Sequence, residues 1–257
     1  MNILEVNHIW KSYGTKENKV SVLKDVSLCI EDGDFVAIMG PSGSGKTTMM
    51  NVISGIDKVD KGDILLQGTN ISSMKKSDLA LFRRKKLGLV FQDFNLLDSL
   101  SVSENILLPM ILEEKTDDEQ KEQLEKITEF FGISELLSRD TWNISGGQKQ
   151  RVAISRALIN NPSLICADEP TGNLDSKSTK DVMSYFVKVN EDLNTSILMV
   201  THDIFAASYC KRVILLKDGK VIHELKNAGS RKQLYKQIME MMTMIGGGMD
   251  DFSSDIY

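Results

Sequence analysis

The segment Gly40-Pro41-Ser42-Gly43-Ser44-Gly45-Lys46-Thr47 constrains the fold of this 257-residue chain more than any other. It has the form Gly-x-x-x-x-Gly-Lys-Ser/Thr and lies between the apolar run Phe35 to Met39 and a helical stretch reaching Gly55. Glycines there let backbone N–H groups turn inward around phosphate oxygens, and the helix N-terminus adds positive potential. Lys46 is expected to reach the β and γ phosphates of a nucleotide, and Thr47 to offer its hydroxyl to Mg²⁺. A glycine-rich turn without a ligand would have no need of Lys46 and Thr47 at these offsets.

The pattern around this segment is one of short apolar runs alternating with helical stretches. Leu87 to Phe91, Leu164 to Ala167 and Ile197 to Val200 read as strands, and about Ser178 to Leu193 as a helix. Strands buried on both faces and joined by helices imply an α/β domain with a mostly parallel sheet. Val213 to Leu216, Asp218-Gly219, then Val221 and Ile222 predict a hairpin, since Asp-Gly suits the positive dihedrals of a tight turn. Thr116-Asp117-Asp118-Glu119 is a capping-box sequence that opens a helix with Leu124, Ile127 and Phe131 on one face, ended by Gly132.

Two further segments carry chemistry. Asp168 and Glu169 follow the apolar strand ending at Ala167, at the carboxyl edge where α/β sheets bind ligands. One carboxylate can hold a metal while the other orients and polarises the attacking water. Ser145-Gly146-Gly147-Gln148 opens a helix through Arg151, Ile154 and Leu158, which Asn161-Pro162 stops. It is either an ordinary serine cap or a second anion-binding terminus, and a chain with two such termini is expected to bind nucleotide between two copies of itself.

Composition excludes several classes. The formal net charge is −5, against the basic excess a free-standing nucleic-acid-binding domain needs, so no nucleic-acid partner is expected. The acid excess is local: residues 93 to 157 carry 13 acids and 7 bases, and the capped helix pattern from Thr116 to Gly132 makes this middle segment read as a helical insert. The longest nearly apolar stretch, Ile106 to Leu112, is broken by Pro109 and falls short of the ~20 residues a membrane span requires. The N-terminus lacks the layout of a secretory signal, and a cytoplasmic chain is expected. Cys29, Cys166 and Cys210 fit reduced thiols rather than a disulfide framework or a zinc site.

Over about residues 3 to 225 the chain resembles the ATP-binding subunits of ABC transporters, in the order and spacing of Tyr13, the phosphate loop, Gln92, residues 144 to 148, Asp168-Glu169 and His202. The resemblance implies a P-loop NTPase (RecA-like) core with a mostly parallel sheet, an N-terminal antiparallel β subdomain and an inserted ABC-type α-helical subdomain. It implies an ATPase using ATP and Mg²⁺. Tyr13 would stack on adenine; Gly40, Ser42, Gly43, Ser44, Gly45, Lys46, Thr47, Thr48 and Gln92 would bind ATP; and Thr47, Gln92 and Asp168 would hold the metal. Glu169 would be the general base and His202 a catalytic contact to the γ phosphate. Ser145, Gly146, Gly147, Gln148 and Asp175 would act in trans, on the ATP of the other copy of a homodimer. Single-residue alternatives stand beside these: Tyr13 as a core aromatic, Gln92 as a surface polar residue, His202 as a satisfied loop histidine.

Within that family the stretches Gln92 to Leu97, Glu104 to Pro109 and Asp168 to Asp175 resemble the macrolide-export and lipoprotein-release branch. Ile144 to Arg151 and Ala206 to Cys210 are similar to the bacitracin-resistance type. That implies a subunit at the cytoplasmic face of the cell membrane, powering a separate integral permease that docks near Gln92 to Pro109, and through it a sensor kinase. The alternatives are a nucleotide-gated scaffold of the cell-division type, or a lipoprotein-release or macrolide-export ATPase. The domain expectation is a nucleotide-binding domain over residues 1–226, with the helical insert at about 93–157, and a C-terminal helix and frayed tail over 227–257. Arg83 to Lys86 reads as a solvated helix end, the methionines between 239 and 244 as packing, and Cys166 as a small buried residue.

Overall fold

A computed structural model describes residues 1–15 and 18–246, so the expected tail beyond Gly246 lies outside the described residues. The chain runs β1 (Asn2–Tyr13), β2 (Val20–Glu31), β3 (Phe35–Met39), α1 (Lys46–Ile53), β4 (Lys61–Leu66), β5 (Thr69–Asn70), α2 (Lys76–Lys86) and β6 (Leu87–Phe91). It continues with α3 (Val102–Ile111), α4 (Asp117–Phe131), α5 (Gly146–Leu158), β7 (Leu164–Asp168), α6 (Ser176–Asp192) and β8 (Ser196–Val200). Last come α7 (Ile204–Ala207), β9 (Arg212–Lys217), β10 (Lys220–Lys226) and α8 (Arg231–Gly246). Two compact units result: Met1–Ser73 with Met199–Tyr257, and Met74–Leu198.

In the first unit, β1 pairs antiparallel with both β2 and β4, in a sheet of order β2-β1-β4-β5 with β2 at one edge. All five residues of β3 are buried, as expected of a strand covered on both faces. β3 pairs in parallel with β9, Met39 opposite Leu215, so the loop at residues 40–45 leaves beside the end of β9. β9 returns as antiparallel β10 through Asp218 (φ 50°) and Gly219 (φ 78°), the two positive dihedrals that the Asp-Gly pair predicts. Beneath it Arg212, with a side chain 12% exposed, joins Asp34 at 2.7 Å and Glu224 at 2.9 Å. α8 buries Leu234, Ile238 and Ile245, while Met239 and Met244 stay exposed. Met241 and Met242 are half-buried, so the methionines pack only in part, and the helix turns its aliphatic residues inward most fully.

In the second unit β6 and β7 pair in parallel, from Leu87 opposite Leu164 to Phe91 opposite Asp168. α4 starts at the capping box of Thr116 and Glu119 and ends at Gly132 in the left-handed conformation, both as expected. Phe131 and Thr128 form its buried side, with Leu124 and Ile127 only half-buried. α3 carries its own capping box, Ser101 with Glu104, and keeps Pro109 inside its last turns. Arg83 and Arg84 at the end of α2 are half-buried rather than solvated, and Arg84 Nη1 donates to Leu112 O at 2.6 Å. That difference arises because α3 brings its C-terminal carbonyls within reach of the guanidinium. Cys166 is buried in β7 and its thiol is pushed up to about 12 by desolvation. No described helix is long and apolar enough to cross a membrane.

Candidate functional site

The first unit holds Tyr13, the phosphate loop and His202. α1 begins at Lys46 after Gly45, whose φ of 104° excludes ordinary side chains and whose lack of a side chain leaves the helix start without a side-chain cap. Orphan N–H groups at a helix start attract an anion. Lys46 Nζ donates to Gly40 O at 2.9 Å and Pro41 O at 3.0 Å, which folds the ammonium across the loop. Ser44 is buried and its Oγ has no hydrogen-bond partner. A buried hydroxyl without a partner beside an uncapped helix start fits a bound phosphate oxygen, so the residues present suit a nucleotide. Thr47 follows Lys46 in the first turn of α1, the position from which its hydroxyl would serve a magnesium ion.

The loop is also held by its surroundings. A Cβ on Gly40 would lie 2.0 Å from Leu216 O, and Gly219 N donates to Ser44 O at 3.1 Å. Tyr13 ends β1 with its ring 40% exposed, not in the core. Its hydroxyl donates to Asp57 Oδ2 at 2.8 Å, and Lys11 Nζ lies 4.9 Å over the ring. Burial, then Asp57, raises the Tyr13 hydroxyl above its ordinary range. His202 precedes Asp203, the N-cap of α7.

The second unit holds Gln92, Ser145 to Gln148, Asp168, Glu169 and Asp175. Because Phe91 pairs with Asp168, Gln92 and Glu169 are the first residues beyond the same edge of two parallel strands. Glu169 adopts a φ of 46°, a left-handed backbone that few non-glycine residues take and that concentrates at functional positions. Gln92 Nε2 donates to Asn173 Oδ1 at 3.1 Å, and Gly172 is so close that a Cβ there would meet Gln92 Nε2 at 2.9 Å. Asp175 caps α6, accepting from the backbone of Lys177 and Ser178, both at 2.9 Å. The backbone N–H of Ser178, with its hydroxyl, holds the Asp175 carboxyl below its usual range.

Ser145 is an N-cap in the full sense. Its Oγ accepts from Gln148 N at 3.3 Å while Gln148 Oε1 accepts from Ser145 N at 2.8 Å. Both sit at a polar cleft of about 590 Å³, which Gly147, Arg151, Asp175 and Tyr185 also line. Sequence reasoning missed Arg156, which donates to the carbonyls of Phe94 and Asn95 and fastens the chain just after Gln92. Phe94 and Asn95 both have positive φ, 61° and 48°; asparagine tolerates that backbone, but nothing in a phenylalanine announces the turn. It also missed Asp57, whose only local signal was a carboxylate in a loop.

The model of the ABC transporter family matches residues 23–172. The chain is 52% identical to the ABC transporter ATP-binding protein YxdL of Bacillus subtilis, over 98% of each chain. It is 48% identical to the bacitracin export ATP-binding protein BceA of Halalkalibacterium halodurans, over 98% of this chain and all of that one. Among solved structures it is similar to the dimeric post-hydrolysis state of the ATP-binding cassette MJ0796 bound to ADP and Pi, from Methanocaldococcus jannaschii. The TM-score is 0.80 at 38% identity, covering 88% of this chain and 100% of that one. With the α/β fold and the phosphate loop in place, these matches place the chain in the ABC transporter family, as an ATP-binding ATPase subunit.

Proposed function

We propose that two copies of this chain pair head to tail around two ATP molecules and use hydrolysis to drive a separate membrane permease in resistance to bacitracin-like or lantibiotic peptides. The observation that carries the nucleotide half is the phosphate loop, with its uncapped helix start and the buried, unpartnered Ser44 hydroxyl. The peptide half is supported by the similarity to a protein named for bacitracin export. Pairing is supported by the similarity to a cassette solved as a dimer.

In this reading Lys46 leaves the Gly40 and Pro41 carbonyls for the β and γ phosphates, and Ser44 donates to a phosphate oxygen. Tyr13 offers its exposed ring to the adenine face. Thr47, Gln92 and Asp168 would hold magnesium, which when bound neutralises charge on the phosphate oxygens. Glu169 takes the proton of the attacking water, and His202 donates to the γ phosphate as charge develops. On the partner copy's nucleotide, Ser145 gives up its hold on Gln148 N and turns its hydroxyl outward, while the start of α5 adds its positive potential.

The permease docks at a groove of about 450 Å³ in the second unit, lined by Leu89, Leu108, Pro109, Arg83, Arg84 and Arg156. Apolar walls suit a helix, and the arginines suit a carboxylate on it. Such a subunit works at the cytoplasmic face of the cell membrane. Affinity purification of the full chain from membranes tests this: a protein of about ten spans should copurify, and bacitracin should change the ATPase rate of the complex. A complex without a permease, or one indifferent to peptide, would overturn the transport reading.

A further inference from the structure

We propose that Arg231, the first residue of α8, is a positioning residue for His202, acting through α7; this rests on the reading above that His202 meets the γ phosphate. α7 has four residues, too few to be stable by itself, and its N-cap, Asp203, directly follows His202. Asp203 caps it by accepting from Phe205 N at 2.8 Å, and Asp203 N donates to Thr201 Oγ1 at 3.0 Å. The backbone at His202 is thus fastened to whatever position α7 takes.

Arg231 sets that position from outside. Its guanidinium lies 3.5 Å from the centroid of the Tyr209 ring and 4.5 Å from that of Phe205. Those two rings meet edge to face at 5.4 Å. Arg231 Nε donates to Ser208 Oγ at 3.0 Å, and that hydroxyl donates to Phe205 O at 2.6 Å. One side chain therefore grips α7 at Phe205, its C-cap Ser208 and the next residue, Tyr209. A planar cation can stack on an aromatic face and donate in its own plane at once, which an ammonium cannot.

The far end of α8 is fixed as well. Lys217 Nζ donates to Ile245 O at 2.7 Å, and Lys217 ends the strand whose turn residue Gly219 donates to Ser44 O of the phosphate loop. α8 therefore ties the segment carrying His202 to the segment that steadies Ser44. A helix outside the nucleotide-binding motifs can in this way hold the histidine in register with the loop.

The test is a double-mutant cycle on the ATPase activity of the full chain, with Arg231→Ala, Arg231→Lys, His202→Gln and the combination Arg231→Ala/His202→Gln. Arg231→Ala should lower kcat about fivefold with KM for ATP within about twofold, and Arg231→Lys should recover part of that loss. In the His202→Gln background, Arg231→Ala should cost nothing more. An equal loss in that background, or an unchanged kcat in the single variant, would overturn the proposal. A His202→Gln chain at the wild-type rate would remove the histidine's role itself, a failure distinct from a broken link between the two residues. Should His202→Gln leave no measurable rate, amide hydrogen exchange decides: it should quicken at Phe205 and Tyr209 in Arg231→Ala, and unchanged exchange would sink the clamp.

Discussion

Gln92 and Asn173, 81 positions apart in the chain, share an amide-to-amide hydrogen bond of 3.1 Å. Asn173 Nδ2 also donates to Gln92 O at 3.3 Å and Asp93 Oδ1 at 2.8 Å, so the segments leaving β6 and β7 are laced together. Asn173→Ala removes all three bonds at an exposed site. Unfolding in urea should show a loss of about 1 kcal/mol. If the lacing transmits the nucleotide state, the peptide response of the permease complex should fall more than the basal ATPase rate; equal falls would make the bond merely structural.

Two glycines of the phosphate loop should fail for different reasons. Gly40→Ala drives a methyl into Leu216 O and against Ser44 Oγ, 2.0 and 2.8 Å away. The loop must then part from β9, at a cost of about 1–3 kcal/mol in urea unfolding and with weakened ATP binding in a nucleotide titration. Gly43→Ala meets no atom within 4 Å, yet its φ of 78° penalises any side chain, by about 1 kcal/mol.

Acid should remove one particular contribution. Asp57 is partly desolvated, which opposes its charge, but Lys11, the Tyr13 hydroxyl and the Lys58 N–H outweigh that and hold its carboxyl below the usual aspartate range. A depressed native value means stability that is present above the unfolded value and lost as pH falls through the native one. Asp57→Asn should therefore lower the melting temperature at pH 7, and the gap to the wild-type chain should close as pH falls below the ordinary aspartate range. A gap that persists in acid would mean that the contribution is packing and not charge.

The elements legible in the sequence are those with a local physical cause. Phe35–Met39 reads as a buried strand because every position is apolar, and Gly132 ends α4 because the left-handed cap favours glycine. Asp218-Gly219 announces its turn for the same kind of reason. Less legible was α3, where Ser101 and Glu104 carry the capping box but Pro109 argues against a helix. The grip of Arg156 on the Phe94 and Asn95 carbonyls joins positions about 60 residues apart, and no periodicity records a contact of that range. The same holds for Tyr13 with Asp57, and for Arg231 on Tyr209: a single residue's chemistry is visible in a sequence, but its partner is chosen by the fold. The half-buried Arg83 and Arg84 show the converse, a charge run that the tertiary structure turned from solvent into the lining of a groove.

Glu169 offers the most direct test of the whole account. It stands one residue beyond Asp168 at the end of β7, held in left-handed backbone, and Glu169→Gln keeps its size and its hydrogen-bonding reach while removing the base. ATP turnover and ATP binding of this variant, measured side by side with the wild-type chain, should show affinity retained and hydrolysis reduced by about 10²- to 10⁴-fold. Hydrolysis at the wild-type rate by Glu169→Gln would contradict the assignment of the base, and with it the proposed engine.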